Sequence, residues 1–472
     1  MTTRNDLLEP SWLMSLILPQ MTQLRAAYEG GSVFKSLVLK KKPTESQALF
    51  DDKIDNVAAQ PICKSIIEEL VNIIFSYEPT REVQFGNANR PVATPDWVED
   101  FLDNADLENN TLSDVMEKAA TLASMSGWSW IFMDLPSTPD TKNRPYLSVS
   151  AAENVIAFDY DTATGSKRLT SLKVIEYQDQ EKTIIKVWTA GYLELDEETG
   201  TTIAYPTTAE RYVIDNKDKA GTQYVAEETF EFSFDYPIPA IQLLPVPDIN
   251  NKFIGVSDIS EAADVQRQVL RLEAEAFDSI RFSKPLIRAV AGMQIPAGGG
   301  GIARGEKDSI EVFEIPTADI SEIRLQQESI LTMLDSYSGR GGTRKSSTSL
   351  QSGISIIEER RGLHRKAASR ARVMQSTEEE VFNFIAAMMG LTWSGSIEYN
   401  TDFEARDVQF RLALLKTAKE LSPNNATVTS IVDDEVIRLI APPDEVQAYL
   451  DEDASNGINT NTQEPNVINI RN

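Results

Sequence analysis

The chain has 472 residues, room for roughly three domains, and its 41% hydrophobic and 25% charged content is that of an ordinary globular protein. Its 72 acidic side chains against 45 Lys and Arg leave a net charge of −27 at pH 7. That field repels polyanions and argues against a sequence-specific nucleic-acid binder, which carries a basic face. One cysteine, Cys63, and one histidine, His364, exclude an intramolecular disulfide and a clustered His/Cys metal site.

Residues 1–78 read as mainly helical. Trp12, Ile17, Met21, Leu24 and Tyr28 mark one face of an opening helix despite Pro19. The apolar run from Trp12 to Leu18 is too short for a membrane span, follows Asp6 and Glu9, and has no small-residue cleavage site, so the chain is expected to be intracellular. A second helix is expected over Ile54–Ile74, with Ile66, Leu70, Ile73 and Ile74 inward and Cys63 half-buried. Short helices follow over Asp96–Leu102 and Thr111–Met125, then a strand over Trp128–Asp134, whose aromatic stripe reads as core rather than as a base-stacking platform. From 146 to about 245 the text turns to β. Alternating or apolar runs such as Leu172–Tyr177 and Thr183–Trp188 sit between turns, giving an antiparallel meander on a helical base. Pro237, Pro239, Pro245 and Pro247 are expected to make a stiff link.

Residues 255–390 organise the chain. Ser257 can cap a helix whose apolar pairs Ala262/Ala263, Val269/Leu270 and Ala276/Phe277 fall on a heptad stripe, stopped by Lys284-Pro285. A β excursion follows: Leu286–Val290, Ile295-Pro296 with Gly298 to Gly301, then Ser309–Ile315. A second helix starts after Pro316 with a capping-box pair, Asp319 and Glu322, and an apolar face at Ile320, Ile323, Ile330, Leu331, Leu334 and Tyr337. Glycines in 339–342 end it. From about Ser349 to Met389 there is no proline, so one long helix is expected, with Gly353 and Gly362 as the places where it could bend. A strand at Ile397–Asn400, helices over 405–421 and 428–440 and one more short helix to Leu450 complete the ordered text, and 451–472 is expected to be a disordered tail.

The order and lengths of these parts resemble the portal proteins of tailed double-stranded DNA bacteriophages. The matching text is Gly255-Val256-Ser257-Asp258-Ile259 opening a first stem helix, a β-containing clip, a second stem helix, a tunnel loop, and Ser352-Gly353-Ile354-Ser355-Ile356-Ile357-Glu358 opening a long helix. The resemblance implies an α+β ring subunit divided into wing (1–254), first stem helix (255–282), clip (283–316), second stem helix (317–337), tunnel loop (338–348), long helix (349–390), crown (391–450) and tail. It implies a ring, usually of twelve copies, at the portal vertex of the virion capsid, assembled in the host cytoplasm. Such a ring passes DNA during packaging and ejection, without catalysis or cofactor of its own. The implied partners are the major capsid protein, the terminase large subunit, a head-tail adaptor and, transiently, double-stranded DNA; no membrane is involved. Subunit contacts along the stem would fall on Ala263, Leu270, Phe277, Ile323, Ile330 and Leu334, and docking on the clip at Ile287, Ile295, Gly299, Arg304 and Ile310. An acidic wall suits a channel in which DNA must slide, because each basic phosphate contact adds affinity and drag.

Two features invite other chemistry. Gly339–Ser346 is a near miss to the phosphate-cradling loop GxxxxGK[ST], but Arg344 stands where the second glycine is needed and the preceding text is helical instead of strand. A nucleotide-dependent enzyme using this loop is one alternative; a virion structural protein without a channel is another. From Gly339 to Arg372 nine Lys or Arg face only two acids, Glu358 and Glu359. On one helix this is a solvated face, whereas in a ring Arg340, Arg344 and Lys345 would become rings of charge touching phosphates without reading bases. Gly298–Gly301 lacks GxGxxG spacing, His364 has no Ser or Cys partner that can be nominated, and Asp433-Asp434-Glu435 does not differ from an ordinary acidic helix face.

Overall fold

The computed structural model describes residues 2–43, 45–87, 90–92, 95–134, 144–161, 168–195, 202–282, 286–289, 310–313, 319–337, 353–401 and 403. The chain divides into two compact units, Met1–Ser346 with Glu359–Phe403, and Ser347–Glu358 with Glu404–Asn472. Apart from 353–358, the described residues belong to the first. The fold is α+β, with helices and antiparallel sheets.

The helical base begins with β1 (Thr2–Thr3), α1 (Arg4–Leu8), α2 (Trp12–Glu29), α3 (Gly31–Val38), α4 (Gln47–Asn56) and α5 (Ile62–Ile74). The helix expected over Ile54–Ile74 is therefore two: Pro61 cannot donate within a helix, and the chain turns over Val57–Pro61 before α5 starts. Ile66, Leu70 and Ile74 are buried as the periodicity requires, and Cys63 is fully rather than half buried. On α2 the inward side is Met14, Met21 and Leu24; Trp12, expected inside, is 78% exposed.

Three short strands, β2 (Thr80–Glu82), β3 (Phe85–Asn87) and β4 (Arg90–Val92), lead to α6 (Trp97–Asp103) and α7 (Leu112–Ser126). Thr111 caps α7: its Oγ1 accepts from the Asp114 amide at 3.2 Å, and the Asp114 carboxylate accepts from the Thr111 amide at 2.9 Å. Gly127 ends it at φ +99°, pressed so closely on Gly255 that a Cβ would lie 2.4 Å from the Gly255 carbonyl oxygen. That contact fixes where the chain approaches the next long helix.

The β region comprises β5 (Ser129–Asp134), β6 (Tyr146–Ala151), a 3₁₀ turn at Ala152–Asn154, β7 (Val155–Asp161), β8 (Arg168–Gln178), β9 (Lys182–Thr189), β10 (Tyr192–Leu195), β11 (Thr202–Tyr205), β12 (Thr207–Asp215), β13 (Gln223–Tyr224), β14 (Glu228–Phe232) and β15 (Ala240–Leu243). Five strands form an antiparallel sheet in the order β14-β12-β9-β8-β7. Alternation gives it two buried faces. Leu172, Val174, Trp188 and Ala209 pack with Trp128, Trp130 and Met14 of α2, while Ile185, Tyr212 and Ile214 pack with Leu7 of α1. The expected proline link contains β15, which pairs with β5 in the register Ile241↔Ile131. Pro237, Pro239 and Pro245 flank that strand instead of stiffening a linker, since a proline is tolerated only where no ladder donor is needed.

Next come α8 (Ser260–Phe282), β16 (Leu286–Ala289), β17 (Ile310–Phe313), α9 (Asp319–Tyr337), α10 (Gly353–Met388), β18 (Thr392–Trp393) and β19 (Ser396–Glu398). β16 and β17 pair antiparallel, Ile287 opposite Val312 and Ile310 opposite Ala289. Helix α10 runs through Gly362 without interruption. β18 pairs with β3 and β19 with β2, so residues 392–398 complete sheets begun at 80–87. Among the described residues no helix is long and apolar enough to cross a membrane.

Candidate functional site

The α8–α9 pair is where the sequence placed its subunit contacts, and its chemistry starts from the stripe on α8. Ala262, Ala263, Val269, Leu270 and Ala274 are buried in the main core, against α2, α3, α5 and α9 of the same chain. Gln266, in the middle of the stripe, is 1% exposed and fully used. Its Oε1 accepts from the Cys63 amide at 2.7 Å, a first-turn donor of α5 with no intrahelical acceptor, and its Nε2 donates to the Ala27 carbonyl at 2.8 Å. One side chain thus ties three helices. Beyond it, Lys53 reaches Glu45 at 2.7 Å and Asp278 at 2.9 Å, and Lys42 reaches Asp278 at 3.0 Å. Burial pulls the Lys53 ammonium down, yet its two carboxylate partners outweigh that and hold it above the usual lysine range.

Helix α9 lies along α8 through Gln327 and Arg324. Arg324 grips Glu273 with both nitrogens, at 2.5 and 3.1 Å, and buried Gln327 donates to the Glu273 carboxylate at 3.0 Å and to the Val269 carbonyl at 3.4 Å. Burial pushes the Glu273 carboxyl up, but these donors win and keep it below its ordinary value.

Three of the expected subunit contacts, Ala263, Leu270 and Leu334, are buried inside this chain, which leaves them no surface for another copy. The stripe has a partner at home in α2, α5 and α9, and the heptad spacing reflects that intrachain packing. Phe277 and Ile330 are half-buried against the same core, and Ile323 is half-buried. The large apolar side chains that α9 turns outward are Leu325, 66% exposed, and Met333, 56% exposed. Sequence reading passed over both because they lie off the Ile323–Ile330–Leu334 face; the signal for them is that α9 carries more large apolar positions than one face needs. Of the clip positions, Ile287 and Ile310 stand in the paired strands, whereas Ile295, Gly299 and Arg304 lie outside the described residues. So do the loop positions Arg340, Arg344 and Lys345, the Gly298–Gly301 and 433–435 stretches, and the helices expected over 405–450.

The basic run that continues into α10 has a structural use. Asp258, just before α8, accepts from Lys366 Nζ at 3.0 Å and from Arg370 Nη2 at 2.7 Å, and Arg370 Nη1 donates to the Pro245 carbonyl at 3.3 Å. The Asp258 amide donates to the Ser124 carbonyl at 2.9 Å. Burial raises the Asp258 carboxyl, and the two cations more than reverse this, holding it below the usual carboxylate range. Arg365 and Arg372 remain exposed. Farther along α10, fully buried Glu378 accepts from Arg81 Nε at 2.5 Å and from the Tyr399 hydroxyl at 2.6 Å, while Arg81 Nη1 donates to Ser113 Oγ at 3.0 Å. Helix α10 is thereby bolted to the start of α8 at one end and to β2, β19 and α7 at the other.

Between the β region and the second half of α10 lies a cleft of about 650 Å³, lined by Tyr160, Arg168, Gln242, Glu380, Asn383 and Phe384, among others. Tyr160 stacks on Phe253 at 5.0 Å and donates to Gln242 Oε1 at 3.1 Å. Burial, then the charge of Glu380, pushes its hydroxyl well above the ordinary tyrosine range. Arg168 donates to the Gly191 and Phe234 carbonyls, and Asn383 to the Glu379 carbonyl. Among the described residues no three His, Cys, Asp or Glu side chains gather as a metal site. Burial raises the Cys63 thiol to about 12, which makes it unreactive at neutral pH.

No family model matches the sequence, and no curated protein matches it. Among solved structures the chain is similar to one from the neck of a native GTA particle computed with C12 symmetry, at 9% identity, covering 89% of this chain and 98% of that one, with a TM-score of 0.39. A second, from the neck of an empty GTA particle computed with C6 symmetry, gives 10% identity, 89% and 98% coverage and 0.39. A third, from the virion of a native gene transfer agent particle, gives 8% identity, 88% and 99% coverage and 0.41. What the chain does must be read from its own residues.

Proposed function

We propose that this chain is a portal-type ring subunit that forms a channel for double-stranded DNA at one capsid vertex. The observation that carries the reading is the packed α8–α9 pair, with the β16–β17 ribbon joining the two helices in sequence and α10 returning to Asp258 at the start of α8. This is the stem, clip and long-helix order that the sequence resemblance implies. In the ring, copies would meet through the outward side of α9 at Leu325 and Met333, because the inward side is spent. The loop with Arg340, Arg344 and Lys345 would touch phosphates, while the ribbon would face the packaging motor and later the adaptor. The chain would need no catalytic group of its own.

A negative-stain image of the purified protein tests this reading. Annular particles with a central hole are expected; a solitary compact molecule under every assembly condition would overturn it. Charge reversal at Arg344 and Lys345 is expected to impair DNA packaging or retention, and unchanged packaging would remove the loop from the mechanism.

A further inference from the structure

The five-stranded sheet stops on one side at β14, beyond which no strand stands among the described residues. Beside it the β10–β11 ribbon leaves the sheet. Gly191, at the foot of the ribbon, is so close to its neighbours that a Cβ would lie 2.4 Å from the Phe234 carbonyl oxygen and 2.7 Å from that of Tyr205. Ribbon, Phe234 and β14 therefore share one surface. On it Tyr192 is 51% exposed, Ile203 42%, Phe230 48% and Phe234 41%, with Tyr192 stacked on Tyr205 at 4.6 Å, while Leu193, 56% exposed, stands on the opposite face of the ribbon. A two-stranded ribbon is marginal alone, and apolar surface of this kind is seldom left uncovered.

The charges around it say what covers it. Glu194, Glu228, Glu231 and Asp235 are all exposed on this rim. Two arginines stand among them: Arg168, exposed, whose Nη2 donates to the Gly191 carbonyl at 3.0 Å and the Phe234 carbonyl at 3.5 Å, and Arg211, 3.8 Å from Glu228, which leaves Glu194, Glu231 and Asp235 in excess. A second copy set against the same face would bring these carboxylates together, in a chain already at −27. Aromatic faces framed by carboxylates suit guanidinium and ammonium groups, which gain from both the ring faces and the ion pairs. An open strand edge adds main-chain hydrogen bonds to any extended segment laid along it.

We propose that this face docks a partner protein through an apolar strand bordered by Lys and Arg, added along β14 and covering the β10–β11 ribbon. The inference does not depend on ring formation.

The probe is a short synthetic peptide alternating arginine with valine, its binding followed by fluorescence anisotropy at about 0.15 M salt, where longer-range attraction is screened. Binding is expected to weaken by about tenfold or more when Glu194, Glu231 and Asp235 are all changed to Lys, and to a similar extent in Ile203→Ser with Phe230→Ser, which leaves net charge unchanged. Reversal of Asp51, Asp55 and Glu68, exposed on α4 and α5, is the matched control and is expected to change binding by less than about twofold. Equal weakening by the control, no binding by the wild type, or no effect of the rim reversals would overturn the proposal. So would an Ile203→Asp variant that breaks up a self-assembled particle, since the face would then belong to a second copy. Should the Phe230 variant melt early, the three reversals at exposed carboxylates decide the matter alone.

Discussion

Single side chains carry much of the geometry. Asp258 is the plainest case: with Lys366 and Arg370 both directed at one buried carboxylate, Asp258→Asn removes the compensating charge and leaves Arg370 without its counter-ion. Breaking a buried pair in this way costs about 3–5 kcal/mol, and a denaturant titration of the variant should show a loss in that range; a change below about 1 kcal/mol would mean the pair is not formed. The same group sets a pH response. Asp258, Glu273, Asp278 and Glu45 all sit below their ordinary values in the folded chain. Folded forms that bind protons less tightly gain stability above the unfolded values, near 4, and lose it as pH falls through them toward the folded values. The denaturation midpoint is therefore expected to hold down to about pH 5 and to drop below about pH 4, with a shallower drop in Asp258→Asn. Gln266 works differently, since it is neutral. Gln266→Met strands the Cys63 amide and the Ala27 carbonyl, and unmade buried hydrogen bonds cost about 1–3 kcal/mol each; a variant as stable as the parent would show that water replaces the side chain.

At the level of the element, α9 separates inside from outside on one helix. Leu334→Ala should cost about 2–5 kcal/mol, as deletion of a buried leucine does, whereas Leu325→Ala should stay within about 0.5 kcal/mol in the unassembled chain. Comparable losses at both would contradict the packing described. This helix also shows where sequence reading stops. The apolar periodicity of α8, α9 and α10 predicted helices in the right places, but a stripe records only that some surface must be covered. It does not record whose surface does so. For Ala263, Leu270 and Leu334 the cover proved to be α2, α5 and α8 or α9 of the same chain, brought together by contacts with sequence separations from 51 (Arg324 to Glu273) to 239 (Gln266 to Ala27), which no local pattern encodes. The single helix expected over Ile54–Ile74 and the stiff link expected at Pro239 failed for a related reason: proline's effect depends on whether a donor is needed at that point, as at Pro61 between α4 and α5 it is not. The Asp258 anchor was legible only in half, since the excess of basic residues was visible while the lone acid it serves is distant in sequence.

For the molecule as a whole, charge is the dominant variable. Copies at −27 repel one another, and at about 0.1 M ionic strength that repulsion is screened over roughly 10 Å. If rings form through apolar contacts such as Leu325 and Met333, the assembled fraction measured by light scattering should rise between about 0.02 and 0.5 M salt. A fall would mean that ion pairs between copies drive assembly. The main unit has a further property, set by its connectivity. β2 finds its partner among the described residues only at 396–398, and β3, already paired with β4, gains its second neighbour at 392–393, so sheets opened early in the chain stay unfinished until nearly all of the unit exists. On a ribosome, α5, α6 and α7 would emerge long before β18 and β19 and would wait with Phe85 and an unpaired strand exposed. A chain interrupted before residue 392 would carry the whole β region yet lack its clasp, so incomplete translation products should be soft targets for proteolysis and should not compete for places in an assembly.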